Sequence, residues 1–161
     1  MPTAGSRYHR PMHSIRTHFA VLALVAGSLV ATSPVRAGEC LPNVREGWVR
    51  MPPAAMPMMA GFATIENRCT APVTVVGVSS PAFADVSLHE TRIVDGVSRM
   101  RALPELRIAP GDAATLKPGG MHLMLMQPRA ALKPGSKVVI EFALKDGKKL
   151  LGEFVVRKPG E

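Results

Sequence analysis

Aromatic residues are scarce, at 4% of 161 residues, with one Trp, one Tyr and five Phe. A surface that binds nucleic acid interleaves basic residues with aromatic platforms. The clearest basic run, KDGKK from Lys145 to Lys149, reads instead as a hairpin tip, so no nucleic-acid partner is expected. The formal net charge of +8 does not alter this, because residues 1–37 hold four Arg and no acid. Residues 38–161 keep 16 basic side chains against 12 acidic ones, a net +4.

No apolar run is long enough to cross a bilayer, which takes about 20 residues. The one candidate, FAVLALVAGSLVA from Phe19 to Ala31, follows Arg7, Arg10 and Arg16 and is followed by small side chains at Val35 and Ala37. That order is the order of a secretory signal peptide. Residues 1–37 are therefore expected to be removed, leaving a single domain over 38–161 in the periplasm with no membrane span. Met1 and Met12 are both candidate starts. A lipoprotein is not expected, since Glu39 stands before Cys40 where a lipobox needs a small residue.

Catalytic sets are missing as well. There is no Ser/His/Asp arrangement, no Cys/His pair and no carboxylate couple near the histidines, so an enzyme is not expected. The only cysteines are Cys40 and Cys69. In an exported chain an even count favours a disulfide over two buried thiols. The bridge would close a loop of roughly 30 residues and stabilise the fold by about 3 kcal/mol on the loop-entropy model. A metal site on these cysteines lacks a third Cys or a nearby His.

No segment carries a long 3.6-residue apolar stripe. What is present is a series of short runs, several alternating with period two, as at Val138, Ile140 and Phe142. Strands are expected over 44–51, 60–67, 72–80, 84–91, 97–103, 105–108, 121–127, 136–144 and 149–157. Turn signals recur between them, at Asp95–Gly96, Pro110–Asp112 and Asp146–Gly147. The pattern is all-β, an antiparallel sandwich. Met51 to Gly61, MPPAAMPMMAG, is the one Pro- and Met-rich loop, and the role of its Met56–Met59 stretch stays open.

His9, His13 and His18 leave with the signal peptide, so the domain keeps His89 and His122. Both lie beside methionine in an expected strand. Residues i and i+2 of a strand share a face about 6.5–7 Å apart, so His122 and Met124 can close on one ion. His89 and Met100 flank the Asp95–Gly96 turn and are expected opposite each other across a hairpin ladder. Met126 shares the face of Met124 and is either an accessory thioether or packing, while Met121, Leu123 and Leu125 face the other way. Gly119 and Gly120 are expected to form the turn that starts this strand at the rim.

Thioether sulfur is soft and uncharged, and two imidazoles with two thioethers suit Cu(I) over Zn(II), Mg(II) or Ca(II). No thiolate lies near, which argues against a blue-copper electron-transfer centre. The competing reading makes these methionines core gap-fillers of an adaptor that binds no metal.

The order His89, ten residues, Met100, twenty-one residues, His122, one residue, Met124 resembles the signature of the PCuAC family of periplasmic copper chaperones. The segments EGWVRMPP, AGFATIEN, SSPAFADVSLHET, SRMR and PGGMHLMLM resemble that family in the same order, over about residues 40–157. The resemblance implies a cupredoxin-like Greek-key β-sandwich that binds one Cu(I) through His89, Met100, His122 and Met124. It further implies delivery of copper to the CuA site of cytochrome c oxidase alongside Sco-type proteins. A periplasmic buffering or resistance protein with no dedicated oxidase target is the alternative. Cys40, Cys69 and the Met56–Met59 loop are not part of the signature.

Overall fold

The computed structural model describes residues 40–54 and 56–160. The expected signal peptide, residues 1–37, and the expected new N-terminus at Gly38 lie outside them. Ten strands make up the domain: β1 (Asn43–Arg50), β2 (Met58–Glu66), β3 (Val73–Ser79), β4 (Phe83–Val94), β5 (Val97–Ala102), β6 (Leu106–Ile108), β7 (Ala113–Leu116), β8 (Met121–Pro128), β9 (Lys137–Leu144) and β10 (Lys149–Arg157). They hydrogen-bond in the order β5-β4-β8-β2-β1-β10-β9-β3-β6, with β7 on β2. Among the described residues no helix is long and apolar enough to cross a membrane.

The strands pack around one apolar interior that draws on both halves of the strand order. Period-two alternation decides which side chains enter it. Val138, Ile140 and Phe142 of β9 are buried while Val139 is exposed, and Leu123 and Leu125 of β8 are fully buried. Each such Leu or Phe contributes roughly 1.5–3 kcal/mol relative to exposure. Met121 packs on the same interior, so Met121, Leu123 and Leu125 do face away from the His122 side.

Two features of the sandwich differ from the expected list of antiparallel strands. β7, whose sequence is only AATL, had no signal, since Ala and Thr over four residues make no distinct alternation. It continues the β2 edge that β8 leaves: Met58–Gly61 pair with β8, and Ala63–Glu66 pair with β7. The first and last strands, β1 and β10, run parallel, with Trp48 beside Val155. β1 also bulges between Arg45 and Trp48, where Glu46 adopts φ 55°. Gly47 is required there, because a Cβ would collide with the Glu153 carbonyl.

Cys40 and Cys69 are bridged, with Cα atoms 5.7 Å apart, within the range a disulfide spans without strain. The neighbouring Asn67 is buried at 1% exposure. Its amide donates to the carbonyls of Ala71, Ile108 and Ala109 at 2.9–3.1 Å, and its Oδ1 accepts from Cys69 N–H at 3.1 Å. This side chain ties the loop that follows β2 to the end of β6.

Candidate metal centre

The β4–β5 hairpin turns on Asp95 and Gly96, both with positive φ (51° and 74°), the backbone of a two-residue turn whose twist matches the strands. Val94 then faces Val97, which fixes every pair below it. His89 falls opposite Ala102, and Met100 opposite Thr91. The expectation that His89 and Met100 would stand opposite each other is therefore corrected: they are diagonal, two positions apart on one face. The residue directly opposite His89 is His122, across the β4–β8 ladder, with Ser87 opposite Met124. The two imidazole centroids are 6.1 Å apart.

At the start of β8, Gly119 has φ 76°, and Gly120 N–H closes the turn onto the Lys117 carbonyl at 3.0 Å. The Gly120 carbonyl accepts from Thr91 N–H at 3.1 Å and from His122 Nδ1 at 3.0 Å. A carbonyl only accepts, so Nδ1 of neutral His122 carries the proton and Nε2 carries a lone pair. That Nε2 lies 3.2 Å from Met100 Sδ. Two unprotonated donor atoms thus face each other with no hydrogen between them.

His89 is arranged in a related way. Its Nε2 is 3.1 Å from Ser87 Oγ, while its Nδ1 is buried without a hydrogen-bond partner. The less costly tautomer puts the proton on Nε2, donated to Ser87, and leaves a bare lone pair on Nδ1. Burial, reinforced by the nearby His122 and opposed by Asp85, lowers the His89 pKa from its ordinary value. Burial thereby favours the neutral ring.

Met124, half-buried, lines a cavity of about 180 Å³ together with His122, Phe62 and Thr91. The structure thus sets His122 Nε2 3.2 Å from Met100 Sδ and the two imidazole centroids 6.1 Å apart, with Met124 on the same face. Met126 is not brought to them. It sits opposite Met58 and Asp85, roughly 13 Å along the strand from His122. The nearest carboxylate in sequence, Glu90, alternates to the other face, where Arg92 and Arg101 hold it at 2.9 Å and depress its pKa.

Among the described residues no three His, Cys, Asp or Glu side chains come together in a metal-holding group. The two imidazoles alone are too few protein ligands for a closed site, and the thioethers beside them are the side-chain donors available to complete it. Bonds of about 2.0 Å to imidazole nitrogen and about 2.3 Å to sulfur put two such ligands roughly 3.5 Å apart at the tetrahedral angle. The separation of 3.2 Å between His122 Nε2 and Met100 Sδ is slightly shorter, so the two would part by roughly a few tenths of an ångström to admit an ion, and the donor set is neutral and soft, as a monovalent ion prefers. Ser87 and Gly120 were missed in the sequence. Ser87 had a usable signal, since it stands two residues before His89 and so shares its face.

The LpqE-like family, described as putative lipoproteins, matches residues 43–156. The chain is 35% identical over 106 residues to the protein described as "Putative lipoprotein Lxx21020" of Leifsonia xyli subsp. xyli, a match covering 65% of this chain and 63% of that protein. It thus spans less than two thirds of that relative. Among solved structures it is similar to apo-DR1885 of Deinococcus radiodurans, at 27% identity, TM-score 0.59, 97% of this chain and 99% of that one. The CuI form of DR1885 matches at 29% identity, TM-score 0.58, 78% and 85%. A copper-bound PCuAC domain from PmoF2 matches at 18% identity, TM-score 0.59, 72% and 92%. These neighbours establish the PCuAC, cupredoxin-like β fold that the sequence resemblance implied. The family's description and the disulfide both point to an extracytoplasmic protein.

Proposed function

The chain belongs to the LpqE-like family, and from that premise we propose that it is a periplasmic Cu(I)-binding metallochaperone. His89, Met100, His122 and Met124 are its ligands. The observation that carries this reading is the His122 Nε2 lone pair facing Met100 Sδ at 3.2 Å, beside the unpartnered Nδ1 of His89. Both imidazoles have one nitrogen engaged by a neighbour and one lone pair to give, which is the arrangement metal-ligating histidines need. The relative from Deinococcus radiodurans solved with Cu(I) supports the choice of ion.

Binding and hand-over suit this site better than catalysis. Met100 lies on the edge strand β5 and is 53% exposed, so an incoming acceptor ligand can displace it first while the two histidines and Met124 retain the ion. Cu(I) then leaves by stepwise ligand exchange with no change of oxidation state. The acceptor we propose is the CuA site of cytochrome c oxidase, with Sco-type proteins working alongside. Export proceeds by cleavage of residues 1–37, so the working chain begins at Gly38.

The test is Cu(I) titration of residues 38–161 against a chromophoric chelator, followed by mixing with an apo CuA domain. One tightly held Cu(I) that moves to the CuA domain is expected. Tight binding without transfer would favour a copper-buffering or resistance protein. Absence of Cu(I) binding would leave these methionines as packing and the domain as a non-metal adaptor.

A further inference from the structure

Met124 also lines a second, larger hollow of about 460 Å³. Five methionines line it: Met51, Met56, Met58, Met59 and Met124. Met59 belongs to the buried interior, whereas Met56 is 45% exposed and Met58 is half-buried. Met58 and Met124 share one face of the β2–β8 ladder, with Met58 opposite Met126 and Met124 opposite Ala60. Methionines used as core filler are closed over by their neighbours. Here the thioethers border an open hollow.

Its chemistry is narrow. Among the described residues no His, Cys, Asp or Glu lines the hollow, and the thioethers that do line it suit a soft ion. Arg50 also lines it, with its guanidinium 5.3 Å over the Phe62 ring. Arg50 borders the cavity beside His122 as well, so its positive charge weakens the hold on a cation at both places. The loop is tied at both ends: Met51 N–H donates to the Arg157 carbonyl at 3.1 Å, and the Pro57 carbonyl accepts from Gln127 N–H at 2.6 Å. Met124, Arg50 and Ala60 line both this hollow and the cavity beside His122, which makes Met124 common to the two.

We propose that Met56, Met58 and Met124 form a second, thioether-only Cu(I) site that receives the ion and passes it to the histidine centre through the shared Met124. The proposal rests on the copper-binding function argued above. An ion held by three thioethers exchanges Met56 and Met58 for the imidazoles and Met100 while Met124 stays bound. No electron moves, and Cu(I) keeps its oxidation state throughout.

Methionine methyl NMR with Ag(I), a redox-inert soft monovalent probe, tests this on the purified chain. In a His89→Ala/His122→Ala variant, Ag(I) should still shift the Met56, Met58 and Met124 methyls, and adding Met56→Leu/Met58→Leu should abolish the Met124 shift. Because the histidine variant removes a buried ring, a second measurement uses wild-type histidines. There, Met56→Leu/Met58→Leu should slow Cu(I) uptake from a chelator several-fold and leave the final affinity within about twofold. If wild type binds Cu(I) but the Met56 and Met58 methyls stay silent and uptake is unchanged in the Leu variant, the second site is overturned and the histidine centre stands. If wild type binds no Cu(I), the function itself falls.

Discussion

Ser87→Ala removes one hydroxyl and isolates its role in orienting His89. Ser87 Oγ is the only partner of His89 Nε2 shown by the structure, at 3.1 Å, and without it nothing distinguishes the ring from one turned over, with Nδ1 and Nε2 interchanged. Outer partners of ligating histidines contribute 10–100-fold in metal affinity. A neutral, half-buried hydroxyl belongs at the lower end, so Cu(I) affinity should fall about tenfold, equivalent to about 1.4 kcal/mol. The cost to folding should be smaller, about 0.5–1 kcal/mol for one partly exposed hydrogen bond. Chelator competition on wild type, Ser87→Ala and Ser87→Thr reads the first quantity, and urea unfolding of the metal-free proteins reads the second. Ser87→Thr keeps the hydroxyl on a strand that favours β-branched residues and should restore affinity. Unchanged affinity in Ser87→Ala would refute the orienting role, as would a loss that Ser87→Thr fails to recover.

The Cys40→Ser/Cys69→Ser variant should lose about 3 kcal/mol and melt roughly 10 °C lower, with its Cu(I) stoichiometry unchanged; loss of copper by a folded variant would make the thiols ligands. Asn67→Ala should destabilise by roughly 3 kcal/mol, since it strips partners from three carbonyls and the Cys69 N–H in a buried place; a loss below 1 kcal/mol in urea unfolding would show that water replaces the amide. The lowered pKa of His89 gives the metal-free protein a pH dependence. The unfolded chain takes up a proton near pH 6.5 that the folded chain resists. Stability is therefore full above that value and falls as the pH drops through it towards the lower folded pKa. Unfolding midpoints at pH 7.5 and 5.5 should differ less in His89→Ala than in wild type, and an equal difference would assign the acid sensitivity elsewhere.

Much of the fold was legible because burial follows strand alternation: Leu123 and Leu125 on one face of β8, and Val138, Ile140 and Phe142 on one face of β9, mark the interior without any knowledge of their neighbours. Alternation carries no information about which strand lies beside which. For that reason the parallel β1–β10 pair and the facing of His89 and His122 could not be read. The placement of Met100 was within reach, since a two-residue turn at Asp95–Gly96 fixes the register and puts Ala102, not Met100, opposite His89. The link from His122 and Met124 was plain from the i, i+2 rule. Gly120 was not, because its contribution is a backbone carbonyl that any residue would carry.

X-ray absorption on protein loaded with one equivalent of Cu(I) tests the copper centre most directly. Two imidazoles and two thioethers predict mixed scattering, with nitrogen at about 2.0 Å and sulfur at about 2.3 Å, and a reduced sulfur contribution in Met100→Ala. A shell of nitrogen or oxygen alone, or a spectrum that Met100→Ala and Met124→Ala leave unchanged, would contradict the assignment of His89, Met100, His122 and Met124.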